Sequence, residues 1–551
     1  MKQLFFLLLF VVGCNNNTNE SFEQAASSIN ADDLDKYLSV IASDEFQGRQ
    51  PSTVGEKKTI NYLRDKFSEL GLKPGNGSSF FQQVPLVDIT TDGNKEIRVE
   101  GKGKTTRLKY ADEFMATTSH LEKSVEIKDA ELVFAGYGIV APEYNWNDYD
   151  GIDVKGKIVV VMVNDPGYAT KDTNLFNGYA MTYYGRWTYK YEEAARQGAA
   201  GCFIIHETGA AGYPWEVVKN SWSGPQYFLE AKDKNFSKCK MEGWINNQKA
   251  REIFAQAGYN FDDMMNKISK RGFKSFSLNL RTSLDMKNKI RESVSNNVIA
   301  LLPGTERTGE YIIYSAHWDH LGMDTTLEGD QIYNGARDNG TGIAGLIEIA
   351  KAFSKLDKRP LRSIIFLAVT AEEQGLLGSE FYADNPIYPL KKTVAAINMD
   401  ELNIFGKTKD ITLIGYGNSE LDKYVEAAAK KQGRIVRPDP EPEKGRFYRS
   451  DHFSFAEHGI PAVYTDCGVI NIEKGEQWMK QEIERWDNEY YHKPADNYEP
   501  AWWKFDGMVQ DLQLLFAVGY TLSNEDNFPN WYEGNEFRAI RDEQMKKADH
   551  Q

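Results

Sequence analysis

The fold is decided by residues 311–400, which open on Tyr311-Ile312-Ile313-Tyr314-Ser315-Ala316-His317-Trp318-Asp319-His320. The first six residues form a short apolar, β-rich run, and the run ends on two histidines and an aspartate. A Gly-rich loop follows, Asn334-Gly335-Ala336-Arg337-Asp338-Asn339-Gly340-Thr341-Gly342. Ile343, Leu346, Ile347, Ala350 and Phe353 then recur at helical spacing. A second apolar run, 364–369, ends on Thr370-Ala371-Glu372-Glu373, and a third, 394–399, ends on Asp400-Glu401. Strands alternating with helical pattern indicate an α/β sheet, whose ligands collect beyond the carboxyl ends of its strands. Three strands deliver His, Glu and Asp to that edge.

Imidazole and carboxylate donors together suit a divalent ion of zinc type. A two-metal site also needs a carboxylate that reaches both ions, and Asp338 in the Gly-rich loop is the candidate. A further carboxylate that is not a ligand would move the proton of an attacking water. Glu372, beside Glu373, is the candidate for that.

The set resembles the M28 family of metallopeptidases, the zinc aminopeptidase group. The resemblance is carried by Ser315-Ala316-His317-Trp318-Asp319-His320, Ala336-Arg337-Asp338-Asn339-Gly340-Thr341-Gly342, Thr370-Ala371-Glu372-Glu373-Gln374-Gly375, Asn398-Met399-Asp400 and Tyr491-His492-Lys493-Pro494-Ala495-Asp496, in the family's order. It implies a three-layer α/β/α mixed-sheet zinc-peptidase domain holding two Zn²⁺ per chain. His317, Asp338 and Asp400 would bind one zinc, and Asp338, Glu373 and His492 the other. Glu372 would be the general base and Asp319 would hold His317. Tyr491 would help stabilise the oxyanion, and His452 stands in a block that lines the active-site wall in the family. A cis Asp338–Asn339 bond is also implied. Arg337 departs from the small, acidic or amide residue of many relatives.

The implied reaction is removal of N-terminal residues from peptides by a hydroxide shared between two metals. A carboxypeptidase, a glutaminyl cyclase with one zinc, and a non-catalytic binding module on the same fold are the alternatives.

The chain has 551 residues, so two or three domains are expected. A net charge of −15 argues against nucleic acid and against charge-driven binding to an anionic membrane. Hydrophobic residues at 41% are enough for sizeable cores. Residues 1–14 read as a lipoprotein signal peptide: Lys2, an apolar run too short to span a bilayer, and Val11-Val12-Gly13-Cys14 resembling a bacterial lipobox. Lipid on Cys14 would place the protein in the bacterial cell envelope, periplasmic or at the cell surface, and an ordinary signal peptide is the alternative. Residues 15–27 read as a polar tether. The remaining cysteines, Cys202, Cys239 and Cys467, show no metal-binding spacing.

The peptidase domain is expected in two parts, 28–125 and 291–525, with a C-terminal tail at 526–551. Between the two parts, 126–290 changes texture to apolar β-rich runs split by Gly and Asp turns. Gly136-Tyr137-Gly138-Ile139 and Ala199-Ala200-Gly201-Cys202-Phe203-Ile204-Ile205 resemble an inserted protease-associated domain, which shows no ligand or nucleophile constellation. The stretch 471–489, rich in Glu, Lys and Trp, has no chemical reading from sequence.

Overall fold

The computed structural model describes residues 13–548. The expected 1–14 leader falls outside the described residues for all but its last two positions. The chain forms two compact units. The first comprises residues 13–84, Ser295–Asp439 and 450–548, and the second Pro85–Val294 and Pro440–Arg449.

The first unit is built on a mixed sheet. Its strands are β1 (Phe276–Leu302, of which 295–302 lies in this unit), β2 (Arg307–His317), β3 (Arg362–Val369), β4 (Thr393–Asn398), β5 (Asp410–Ile414), β6 (Ile435–Pro438) and β7 (Ala462–Asp466). Their order is β1-β3-β2-β4-β7-β5-β6. Strands β3, β2, β4 and β7 run parallel, β1 is antiparallel to β3, and β5 is antiparallel to β7. Central strand β2 pairs on both sides, with Ile313 opposite Ile365 and Ala396.

Successive side chains of a strand point to opposite faces, and here both faces are covered. Ile312, Tyr314, Ile364, Phe366 and Ala368 enter one buried cluster, while Ile313, Ile365, Leu367 and Val369 enter another. This explains why β3 is buried along its whole length and reads as a continuous apolar run. The helices are α1 (Gly13–Ser27), α2 (Ala31–Ile41), α3 (Val54–Glu69), α4 (Gly342–Ser354), α5 (Leu377–Asp384), α6 (Leu421–Lys431), α7 (His452–Glu457), α8 (Gly475–Glu489), α9 (Phe505–Asn524) and α10 (Arg538–Ala548). α4, wholly buried through Phe353, packs against the first face with residues of α2 and α9. Tyr382 of α5 and Phe455 of α7 cover the second. The three-layer expectation is met.

Two terminal expectations are corrected. The stretch 15–27 is helical rather than an extended tether: Phe22 stacks on Phe516 at 5.5 Å, and Ala25 and Ile29 are buried. The tail is not loose either. Trp531 is buried and donates to Gly459 O at 3.0 Å, and Arg541 donates to Thr393 O at 2.9 Å.

The second unit has its own sheet. Strands Ser124–Phe134, Ile158–Met162, Gly201–Ile205 and Met241–Ile245 lie parallel in that order, and Phe114–Thr117 closes one edge antiparallel. Its limits are wider than the expected 126–290, because the strands between 85 and 117 and the segment 440–449 belong to it. Its cysteines Cys202 and Cys239 are buried free thiols.

Candidate metal centre

The carboxyl ends of β2, β3 and β4 supply the site. Main-chain bonds carry the chain past those ends, Trp318 N to Val369 O at 2.9 Å and Met399 N to Ser315 O at 2.9 Å. His317 ends β2, Glu372 and Glu373 follow β3, and Asp400 follows β4. Asp338 comes from the turn Ala336–Thr341, which holds a cis Asp338–Asn339 bond. His492 follows α8 at φ +54°.

Two donor groups result. His317 Nε2 lies 3.1 Å from Asp400 Oδ1 and 3.4 Å from Asp338 Oδ1. His492 Nε2 lies 3.2 Å from Asp338 Oδ2 and 3.0 Å from Glu373 Oε2. A tetrahedral ion with bonds near 2.0 Å separates its donors by about 3.3 Å, and these four edges fall around that value. The two oxygens of Asp338 face different imidazoles. Glu372 Oε2 also gathers with His317 and Asp400, but at 4.0 Å from His317 Nε2. It is farther from His317 Nε2 than the nearest oxygens of Asp400 and Asp338. The donor set fits zinc, with imidazole and carboxylate and no thiolate.

The electrostatics make the same demand. Burial alone would lower the pKa of His317, but the carboxylates of Asp400, Glu372 and Asp338 hold it well above the ordinary imidazole value. His492 is likewise raised against burial by Glu373 and Asp338. Burial, helped by Asp400 and Glu373, pushes Glu372 well above the ordinary carboxyl value despite His317. Glu373, against burial and Asp338, is drawn down to about 2 by His492 and His320. Without metal the two imidazoles are the cations beside these acids, and a metal bound there would take over that role.

The supports are more extensive than the sequence reading foresaw. Asp319 was expected to hold His317 through its carboxylate, but that oxygen is 3.8 Å from Nδ1, whereas the Asp319 main-chain carbonyl is 3.2 Å away. Its carboxylate instead accepts the main-chain N–H groups of Glu372, at 3.1 Å, and Glu373, at 3.4 Å. His320 Nδ1 meets Glu373 Oε1 at 2.5 Å. Asp496 accepts the N–H groups of Arg337 and Asp338 at 3.0 and 3.1 Å, which orients the metal-binding turn. The buried Arg49 donates to the carbonyls of Trp318, Asn334 and Gly335 and ties that turn to the end of β2. Ser450 Oγ donates to Asp400 Oδ2 at 2.7 Å, and Asn398 Nδ2 in turn donates to Ser450 Oγ at 2.7 Å. Outer partners of this kind orient metal ligands. His320 and Asp496 were visible in the motifs. Arg49 and Ser450 carried no local signal.

Tyr491 stacks on His492, with ring centroids 4.0 Å apart and an interplanar angle of 24°, and is 41% exposed at the rim. Desolvation around the phenol oxygen, with the carboxylates of Glu401 and Asp338, pushes the phenol well above its ordinary value. His452 is fully buried in α7 and stacks on Tyr464 at 4.7 Å.

Residues 297–517 match the family described as "Peptidase family M28". This segment belongs to peptidase family M28. All five candidate ligands, with Glu372 and Asp319, fall inside the M28 match. Among curated relatives, a mouse protein named "Aminopeptidase NAALADL1" is 30% identical over 162 residues, 28% of this chain and 20% of that protein. The Caenorhabditis elegans "Glutamate carboxypeptidase 2 homolog" is 22% identical over 465 residues, 74% of this chain and 56% of that protein. The chain therefore spans from a fifth to just over half of these relatives. The solved "Aminopeptidase from Aneurinibacillus sp. strain AM-1" is 19% identical, with a TM-score of 0.49 over 92% of this chain and 97% of that one. Among the described residues, no helix is long and apolar enough to cross a membrane.

Proposed function

We propose that this chain is a two-zinc exopeptidase that removes N-terminal residues from peptides. The observation that carries the reading is Asp338, whose two oxygens stand 3.4 and 3.2 Å from two different imidazoles. His317 and Asp400 complete one group, and His492 and Glu373 the other. Zinc bound there would make water acidic near neutral pH and polarise the scissile carbonyl. Glu372, fixed through its main-chain N–H on Asp319, takes the proton of the attacking water and returns it to the leaving amine. Tyr491, protonated at the rim, donates to the developing oxyanion.

A second reading is favoured by one observation, the relatives named as glutamate carboxypeptidases. On that reading the same groups would act at the other end of the peptide. We read the second unit as a protease-associated-like domain and Cys14 as the lipid attachment point, which places the enzyme on a bacterial envelope membrane. Failure of palmitate labelling, or labelling that survives Cys14→Ala, overturns the anchor.

The test of activity is a peptide digest read by mass spectrometry. Matched peptides with free, acetylated and glutamine N-termini are compared with and without a chelator. Stepwise loss from the free N-terminus, blocked by acetylation and chelation and restored by zinc, is expected. Trimming from the carboxyl end would establish the second reading instead. Ammonia loss from N-terminal glutamine without shortening would make the protein a cyclase.

A further inference from the structure

Glu372 stands on a loop that one buried amide closes. The loop runs from the end of β3 to the start of α5. Its second residue, Ala371, is buried and sits at φ +53°, in the left-handed region that residues other than glycine rarely adopt. Such a position persists where the surroundings over-determine it.

Asn297 supplies the closure. It is fully buried on β1, one step beyond the Val298–Ala368 pair. Its Oδ1 accepts Thr370 N at 3.1 Å, and its Nδ2 donates to Gly378 O at 2.8 Å and to Gln82 Oε1 at 3.1 Å. One side chain therefore holds both ends of the loop. Gly378 N also donates to Thr370 O at 2.9 Å, and Leu377 N to Ala371 O at 3.0 Å. The ends pack so closely that a Cβ on Gly378 would meet Thr370 O at 2.1 Å and Asn297 Oδ1 at 2.7 Å.

The side chain of Thr370 is held as well. Its Oγ1 lies 2.6 Å from Ser295 Oγ, which donates to Glu56 Oε2 at 3.0 Å. A serine hydroxyl has one proton to give, so Thr370 donates to Ser295. Glu56, on α3, also accepts Ser52 N and, at 2.9 Å, Asn296 Nδ2. Asn296 O in turn accepts Trp318 Nε1 at 3.0 Å. Glu56, Ser295, Asn297 and Thr370 are all buried.

These bonds end on main chain and on Glu56, not on the five candidate ligands. What they fix is the chain two residues before Glu372. Thr370 N is held by Asn297 and Glu372 N by Asp319, at 3.1 Å, with the left-handed Ala371 between them. The direction of the Glu372 side chain is thus set from both sides. A general base works only within hydrogen-bond reach of the proton it takes, and misplacing a positioned group by about 1 Å can cost about a hundredfold in rate.

We propose that Asn297, assisted by Ser295 through Thr370, is a positioning residue that aims the general base Glu372. It acts on the chemical step, not on metal or substrate binding. This rests on the reading of Glu372 as the base and names what directs it.

The test is a double-mutant cycle on the zinc-loaded protein. Hydrolysis of Leu-Gly-Gly is followed by mass spectrometry, which registers cleavage from either end. Asn297→Ala should lower kcat roughly tenfold to a hundredfold, with KM and zinc content unchanged. Combined with Glu372→Gln it should add almost nothing, because no base is left to aim. Thr370→Val keeps the side-chain shape and the main-chain bond to Asn297; it should lose several-fold in kcat in the parent and nothing in the Glu372→Gln protein. An equal loss in both backgrounds, a loss seated in KM, or a fall in zinc would make Asn297 a general support of the centre. Each of these overturns the proposal while Glu372 stands as the base. Should Asn297→Ala not fold, Thr370→Val decides: a loss that vanishes beside Glu372→Gln supports the proposal, and any other result overturns it. Near-parent activity in Glu372→Gln itself overturns the reading of the base, and the role of Asn297 with it.

Discussion

Asp148, Asp165 and Lys190 of the second unit are as deeply buried as the ligands of the metal centre, yet their charges are settled differently. Asp165 accepts from Gly167 N, Thr182 N and Thr182 Oγ1 at 2.8–3.0 Å. Asp148 accepts from Tyr137 N, Ile139 N and Trp146 Nε1 at 2.9–3.1 Å. Lys190 gives its protons to the carbonyls of Asn164 and Tyr184. These charges meet neutral backbone and side-chain partners, and Lys190 also offsets Asp165 and Asp148. In the first unit, Asp338, Glu372, Glu373 and Asp400 face imidazoles and one another, and solvent reaches the rim at His492 and Tyr491. Buried charge met by backbone is scaffold. Buried acids gathered around titratable imidazoles can exchange those protons for a metal ion.

The sharpest way to break this contrast is Asp338→Ala. It removes an oxygen from each donor group, so zinc should fall from two per chain to less than one by elemental analysis, and peptide hydrolysis to assay background. Two tightly held ions in this variant would show that Asp338 does not join the groups. Glu372→Gln comes next. It should keep both ions and lose roughly two to four orders of magnitude in kcat, the usual span for removal of a general base. Loss of one ion instead would make Glu372 a ligand.

Asp148→Ala probes the opposite side of the contrast. It leaves two main-chain N–H groups and an indole N–H without their acceptor, which should cost the second unit roughly 3 kcal/mol in denaturant titration. Zinc content should not change. A drop in zinc binding with unchanged stability would overturn the division between scaffold and site.

The metal centre was largely legible before the fold was known, for a physical reason. Its donors sit immediately after apolar runs, and a parallel sheet buried on both faces announces those runs as unbroken hydrophobic stretches. What escaped was long-range or masked by composition. Trp486 lies in a charged helix, and nothing local says that its ring will cover Arg337. Arg49 grips carbonyls more than two hundred residues away in the chain. In and just after α1, Phe22, Ala25, Ala26 and Ile29 carry a helical period, but the asparagine-rich run before them gave the segment the texture of a tether. The limits of the second unit were missed because the strands between 85 and 117 come before the change of texture at 126. The segment 440–449, remote in sequence, joins that unit only in three dimensions.

Proton and metal compete for the same edges of the centre. The separations that suit zinc are also hydrogen-bond lengths, so without metal His317 and His492 hold protons between the carboxylates, and both pKa values are raised. Zinc must displace those protons. Affinity should therefore rise with pH, and a chelator competition should find zinc held more weakly at pH 6 than at pH 8. Equal affinity at the two values would mean that the imidazoles are already deprotonated.

The smallest expected effect concerns Arg337. Its guanidinium, next along the chain to Asp338, donates to the main-chain carbonyls of Glu401, at 3.2 Å, and Leu402, at 3.3 Å, just after Asp400. Trp486 covers that guanidinium at 4.2 Å and approaches Tyr491 at 5.5 Å, so it supports the surroundings of both donor groups without belonging to either. A cation over an indole face contributes about 0.5–2 kcal/mol, most when water is excluded, as it is around this buried arginine. Trp486→Leu keeps apolar cover but removes the ring face. Arg337 should then hold the carbonyls of Glu401 and Leu402 less firmly. Several-fold loss of kcat/KM on peptide substrates is expected, with zinc content unchanged, and Trp486→Phe should restore most of it. If Leu and Phe behave alike, the ring contributes bulk and not its π face. If either variant loses zinc, this support and the metal centre are not separable, and the contrast between scaffold and exchangeable charge has to be redrawn to include Arg337 among the groups that hold the metals.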